Sequence, residues 1–162
     1  MRFGFMIVFL FSSLFATSQE TKKFDVYKPF DDATLAIQRA VALASKEKKH
    51  VLVQIGGNWC SWCARFEKIS REDEQIDSLL SSSFVIYHLN YSKENKNLSV
   101  LAKYSFPQRF GFPVFLILDS KGKLLHTQNS AYLEDGGGYG KDKVIEFLSS
   151  WTQEALDPNS YK

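Results

Sequence analysis

The stretch Val51-Leu52-Val53-Gln54-Ile55-Gly56-Gly57-Asn58-Trp59-Cys60-Ser61-Trp62-Cys63-Ala64-Arg65-Phe66-Glu67-Lys68-Ile69 decides how this chain is read. Its first five residues are an apolar run of the kind that forms a buried strand. Gly56-Gly57-Asn58 breaks the run, and the segment from Ala64 has helical composition, so Cys60 and Cys63 stand where a helix opens. They are the only two cysteines among 162 residues. Two thiols at this spacing can close into a disulfide with each other. One can also be activated by the helix end while the other waits to resolve a mixed disulfide. No other cysteine exists to build a disulfide scaffold, and a staple across so short a loop adds little stability through chain entropy. The pair is therefore redox chemistry or half of a metal site.

Elements on both sides of this stretch can be placed from periodicity. Upstream, residues 24–29 read as a lead-in or short strand. Asp31 and Asp32 are candidate caps of a helix running to about Lys46, with Ala33, Ile37, Ala40, Val41 and Ala44 on one face. The run Lys46-Glu47-Lys48-Lys49 closes that helix with positive charge, as the helix dipole favours. Downstream, a second short helix is expected over about 73–80, a strand over 84–90, and a helix over 96–104 that points Leu98, Leu101 and Ala102 inward. A third strong strand spans 112–119 with Pro113 at its start, where a missing N–H is tolerated. Ser120-Lys121-Gly122-Lys123 reads as a hairpin turn. A strand then returns over 124–127, Gly136-Gly137-Gly138 lies in a flexible loop, and a last helix covers about 141–154. Strands joined by helices imply parallel pairs, and the closing hairpin adds an antiparallel one.

The first residues read as a secretory signal. Arg2 supplies a positive start, an apolar stretch follows from 3 to 11, and Ala16-Thr17-Ser18 is a small-residue cleavage site. The stretch is short of the ~20 residues that span a membrane comfortably; the alternative is a retained N-terminal anchor. Cleavage after Ser18 leaves 19–162, one domain by size, and no stable membrane span. Export matters because a disulfide can persist outside the cytoplasm. The 14 Phe, 7 Tyr and 3 Trp speak for a packed core, and the net charge of +2 offers no basic face for nucleic acid. A monomer is expected.

The placement of the two thiols assigns their roles. Cys60 at a helix N-terminus meets unpaired backbone N–H groups and the positive end of the helix dipole, which stabilise a thiolate. Cys63, one turn further in, should be more buried and less ionised. Cys60 is then the nucleophile and Cys63 the resolving thiol. Trp59 and Trp62 would wall the site and leave an apolar platform for a peptide.

The Trp59-Cys60-Ser61-Trp62-Cys63 motif, the strand before it, and Phe112-Pro113 followed by an apolar strand and Asp119-Ser120-Lys121-Gly122 together resemble the thioredoxin family. The resemblance is nearest to exported thioredoxin-like proteins with a helix ending in a Lys-rich turn before the first strand. It covers about 31–151. It implies an α/β thioredoxin fold, with a central mixed sheet flanked by helices and an N-terminal helical extension, and a domain core at about 31–154. It further implies a cis Pro113 facing the cysteines, with the backbone of Phe112 exposed beside Cys60 for a substrate strand. Pro107 is the weaker alternative for that cis bond. Two departures stand out. Phe112 replaces the small or β-branched residue common before this proline. Gln54 stands where thioredoxins carry a buried carboxylate, and glutamine cannot take a proton from Cys63. Glu67, four residues after Cys63, is the other candidate for a proton relay, although its simpler reading is a solvated side chain. The segment between Tyr104 and Pro113 is long for the family and would form a lip beside the site.

The function implied is a thiol–disulfide oxidoreductase, exported to the bacterial periplasm. Its partners are protein disulfides or dithiols and an upstream redox partner. It needs no cofactor, because the cysteines carry the redox equivalents. Two other readings exist. One is a module handling copper or zinc, with His88 on a central strand completing a Cys–Cys–His set; the cysteines alone do not supply the four ligands of a structural zinc site, and no metal is assigned. The other is a non-catalytic interaction domain. The acidic residues Asp31, Asp32, Glu72, Asp73 and Glu74 stand at helix starts, where capping explains them.

Overall fold

The structure is a computed structural model that describes residues 24–162; the expected signal segment lies outside them. Residues 24–29 form no strand. Helix α1 (Ala33–Glu47) follows, capped by Asp32, whose carboxylate accepts the N–H of Leu35 at 3.0 Å. Then come β1 (His50–Gly56), α2 (Ser61–Glu72), α3 (Glu74–Ser83), β2 (Phe84–Asn90), α4 (Leu98–Lys103), β3 (Val114–Leu118), β4 (Leu124–Asn129), a small hairpin of β5 (Glu134–Asp135) and β6 (Gly138–Tyr139), and α5 (Lys141–Ser149). The main sheet has the order β2-β1-β3-β4.

β1 and β3 occupy the centre of the sheet and are buried along their whole length, which is why both read as continuous apolar runs. Their side chains alternate between two cores. Val51, Val53, Ile55, Val114, Leu116 and Leu118 face α1 and α4. Leu52, Phe115 and Ile117 face α2, α3 and α5. Ala33, Ala40 and Ala44 on α1 let that helix lie close to the sheet.

Several expectations are corrected. Only β1 and β2 are parallel; β3 runs antiparallel to β1 even though α4 connects it to β2, and β4 is antiparallel to β3. The connection from β2 contains the 3-10 turn Pro107–Phe110 after α4. It leaves the chain at the end of the sheet where β2 finishes, beside Ile55 of β1, so β3 starts there and runs back the other way. Leu98 is not inward but 55% exposed; Val100 and Leu101 supply the apolar face of α4. The Gly136–Gly138 segment is not a loose loop but the tip of the β5–β6 hairpin, held because Tyr139 is buried against Trp62 and Phe66. α5 ends at Ser149, several residues before the expected end. Gly122 takes φ +81° in the β3–β4 turn, where Asp119 accepts the N–H groups of Lys121 and Lys123.

Candidate functional site

Cys60 is the N-cap of α2. Its Sγ accepts the N–H of Cys63 at 3.1 Å, so the sulfur takes the place of a capping oxygen over the free amides of the first turn. Cys60 and Cys63 are joined in a disulfide. Cys63 is fully buried and Cys60 is 4% exposed. The pair packs with Tyr27 in one buried cluster, against which Phe24, Val26, Trp62 and Phe112 rest.

The Phe112–Pro113 peptide bond is cis; that before Pro107 is not. The Phe112 ring lies against the cysteine cluster and forms an aromatic wall with Trp59, edge-on at 5.5 Å, and Tyr91 at 4.7 Å. Trp59 is 58% exposed, and its indole N–H donates to the carbonyl of Tyr91 at 2.8 Å. A shallow cleft opens between Trp59 and the Tyr91–Lys96 loop. Trp62 points elsewhere. It is half-buried, edge-on to Tyr139 at 5.5 Å, with the guanidinium of Arg65 4.5 Å from the ring. It therefore ties α2 to the β5–β6 hairpin as well as touching the cysteines. Phe106 and Phe110 are exposed on the lip expected between Tyr104 and Pro113.

Behind the disulfide the surroundings are polar. Gln54, 1% exposed on β1, donates from Nε2 to the hydroxyl of Tyr27 at 2.9 Å. Burial pushes the Tyr27 hydroxyl far above the ordinary phenol range, although the Gln54 bond works in the other direction. Glu67 is not solvated. Its side chain is 14% exposed, with one oxygen 2.5 Å from His88 Nε2 and the other 3.1 Å from Arg71. Burial alone would raise the Glu67 carboxyl; the His88 hydrogen bond and charge, with those of Arg71, outweigh it and hold the carboxyl below 4.5. His88 lies on the edge strand β2 rather than a central strand, is tied to Glu67, and presents its ring edge-on to Tyr27 at 5.4 Å. Among the described residues no group of three or more His, Cys, Asp or Glu side chains gathers as a metal site.

Three residues at the site are not singled out by sequence reasoning. One is Tyr91, in the aromatic wall with Phe112. Another is Tyr27. The third is Asn58, which accepts the N–H of Tyr27 at 2.9 Å and donates to the Tyr27 carbonyl at 2.9 Å and to Asp25 at 2.5 Å. Asn58 thus pins the lead-in segment to the loop before Cys60. Asn58 reads in the sequence only as part of a loop after β1. A need for a partner to buried Gln54 is the one sequence signal for Tyr27, and it does not say which residue answers it.

A family model described as thioredoxin-like matches residues 32–120. The thiol:disulfide interchange protein DsbD of Pseudoalteromonas atlantica is 28% identical over 123 residues, which are 75% of this chain and 20% of that protein. The chain therefore spans about a fifth of that relative's length. Among solved structures, a disulphide isomerase from Xylella fastidiosa superposes with a TM-score of 0.68 at 22% identity, covering 77% of this chain and 95% of that one. The reduced C-terminal domain of DsbD from Neisseria meningitidis superposes with a TM-score of 0.52 at 21% identity, covering 72% and 95%. Those identities make the structural likeness a statement about fold. With the family model spanning more than half of the sequence, the chain belongs to the thioredoxin-like family.

Proposed function

We propose that this chain is a thiol–disulfide oxidoreductase acting on exported proteins in the bacterial periplasm, with residues 1–18 as the export signal and 19–162 as one working domain. The observation that carries the reading is the Cys60–Cys63 disulfide at the N-terminus of α2, with Phe112 of the cis Phe112–Pro113 pair packed against it. The DsbD relative is a thiol:disulfide interchange protein, which supports the same chemistry. Among the described residues no helix is long and apolar enough to cross a membrane.

Cys60 is the nucleophile. Once the pair is reduced, its thiolate sits over the first-turn amides, with the Cys63 N–H in hydrogen-bond reach. The positive helix end then lowers its pKa below the ~8.5 of a free thiol. The Cys60 thiolate attacks one sulfur of a substrate disulfide. A Cys60–substrate disulfide forms and the other substrate sulfur leaves as thiolate. Cys63 then loses its proton and attacks Cys60 Sγ. The intramolecular disulfide forms, and the second substrate thiolate departs and takes up a proton. The substrate gains two electrons and the enzyme pair is oxidised. In reverse the pair oxidises a dithiol, and the direction follows the potential of the partner. Trp59, Phe112 and Tyr91 receive the apolar part of an extended peptide, and the backbone at Phe112–Pro113 lies alongside it. Trp62 holds the first turn of α2 in place.

The test is capture. In Cys63→Ser, incubation with a peptide disulfide should leave a stable mixed disulfide on Cys60, whereas Cys60→Ser should hold none. Failure of Cys63→Ser to retain any peptide under oxidising and reducing poises alike would sink the reading.

A further inference from the structure

Gly56 ends β1, and a Cβ there would meet both Cys63 Sγ and the Tyr27 hydroxyl, the latter at 2.8 Å. The phenol and the resolving sulfur therefore share one small buried space, closed by the absence of a side chain at Gly56. Gln54 fixes the orientation of the phenol. Its N–H donates to Tyr27 Oη, so the lone pair on that side is occupied and the hydroxyl proton is left to donate elsewhere. In the disulfide the Cys63 sulfur carries no charge and has little call on that proton. In the reduced enzyme it must become a thiolate within a fully buried pocket, which is costly unless a donor meets it.

We propose that the Tyr27 hydroxyl donates a hydrogen bond to the Cys63 thiolate during resolution, with Gln54 as the positioning residue that aims it. This rests on the oxidoreductase reading of the cysteine pair. No proton is transferred to or from Tyr27. The Cys63 proton leaves for solvent, the Cys63–Cys60 bond forms, the Cys60–substrate bond breaks, and the departing substrate thiolate is reprotonated. Burial keeps the phenol neutral throughout. The assignment accounts for a working resolving thiol beside Gln54, which cannot itself accept a proton. It also accounts for the pair of hydrogen bonds between Asn58 and the Tyr27 backbone, one accepted and one donated by Asn58, that holds the lead-in segment against the catalytic loop.

The charged and titratable groups around Tyr27 are Glu67 on α2, His88 on β2, Tyr139 on β6 and Asp25 on its own segment, with Arg71 paired to Glu67. Tyr27→Phe leaves all of them in place, so a change in Cys63 titration reports the hydroxyl. The measurement compares reduced Cys60→Ser with Cys60→Ser/Tyr27→Phe by pH-dependent alkylation and thiolate absorbance. A hydrogen bond to a charged group of ordinary strength predicts that the Cys63 midpoint rises by about one pH unit in the double variant.

Resolution kinetics supply a second readout, using a peptide mixed disulfide preformed on Cys60 of otherwise native protein. A thiol of higher pKa is less ionised but more nucleophilic, with a Brønsted slope of about 0.4–0.5. Tyr27→Phe should then release peptide about threefold more slowly at neutral pH and about threefold faster above both midpoints. A merely structural role for the phenol gives no such crossover. If Tyr27→Phe does not fold, Gln54→Met keeps the hydroxyl but frees it, and a smaller rise in the same direction is expected. An unmoved Cys63 midpoint in the variants that fold, with parallel rate profiles, overturns the proposal. The titration needs no turnover. An unmoved midpoint therefore leaves Cys60-dependent capture standing, and a lack of capture leaves the titration interpretable.

Discussion

On its outer side the Cys60–Cys63 disulfide is walled by aromatic rings that remain partly open to solvent, whereas on its inner side it meets polar groups that are closed off from it. Trp59, Tyr91 and Phe112 form the outer wall, with a single hydrogen bond from the Trp59 indole to the Tyr91 backbone. Tyr27 and Gln54 form the inner wall, with the His88–Glu67–Arg71 chain against it. The outer wall offers non-directional apolar area, which under the proposed function would accept varied peptides. The inner wall is directional, and each of its members depends on another. Substitutions should accordingly separate. Inner changes act on stability and on the chemistry of Cys63, and outer changes act on substrate affinity.

The sharpest way to break this contrast is Gly56→Ala. The added methyl would meet both Cys63 Sγ and the Tyr27 hydroxyl, in a region bounded by buried backbone, where Tyr91 donates to the Gly56 carbonyl at 2.5 Å. A loss of about 1–3 kcal/mol in denaturant unfolding is expected from such overpacking, together with slower resolution by Cys63. A variant as stable and as fast as the native chain would mean that the inner space is not tightly built.

Glu67→Gln should have a smaller effect, about 1–2 kcal/mol at neutral pH, because the amide keeps one contact but loses the charge-assisted bonds. The pH dependence carries the more specific signature. The folded-state carboxyl is held below 4.5. The stability it contributes is therefore fully present above that value and is lost as pH falls through the lowered folded-state pKa. Unfolding curves taken downward from pH 7 should show a shallower acid loss in Glu67→Gln than in the native chain. Equal slopes would show that the pair with His88 does not stabilise the fold.

Trp59→Ala should have the smallest effect on stability, below about 0.5 kcal/mol, as expected of an exposed side chain. It should raise the KM for a peptide disulfide severalfold while leaving the Cys63 midpoint where it was. A shift of that midpoint would show that the two walls are not independent.

Much of this was legible along the chain. The apolar runs of β1 and β3 mark strands buried on both faces. Asp32 and Asp73 cap helices as short acidic residues before periodic segments do. The Cys60–Cys63 spacing after a strand and a glycine break places a sulfur at a helix N-terminus by local rules alone. Harder to read were elements whose state depends on distant partners. Glu67, with a charge suited to a solvated helix face, is drawn inward by His88. The glycine-rich 136–138 segment has no strong strand propensity, yet the anchoring of Tyr139 by Trp62 and Phe66 makes it a hairpin. The direction of β3 is not legible because helical connections usually join parallel strands, and no local signal announces that the α4 connection stays at the end where β2 finishes.

The sequence by itself determined the paired thiols, their order at the start of α2, the strands that support them and the proline just before β3, because each rests on periodicity, capping or spacing within a few residues. Only the tertiary structure decided what stands behind the pair. Tyr27 reaches Gln54 from a segment with no regular structure of its own, and Glu67 meets His88 across two elements. Such contacts arise because buried polar groups must find partners wherever the packed chain supplies them, and that partner is set by the fold and not by neighbours in sequence.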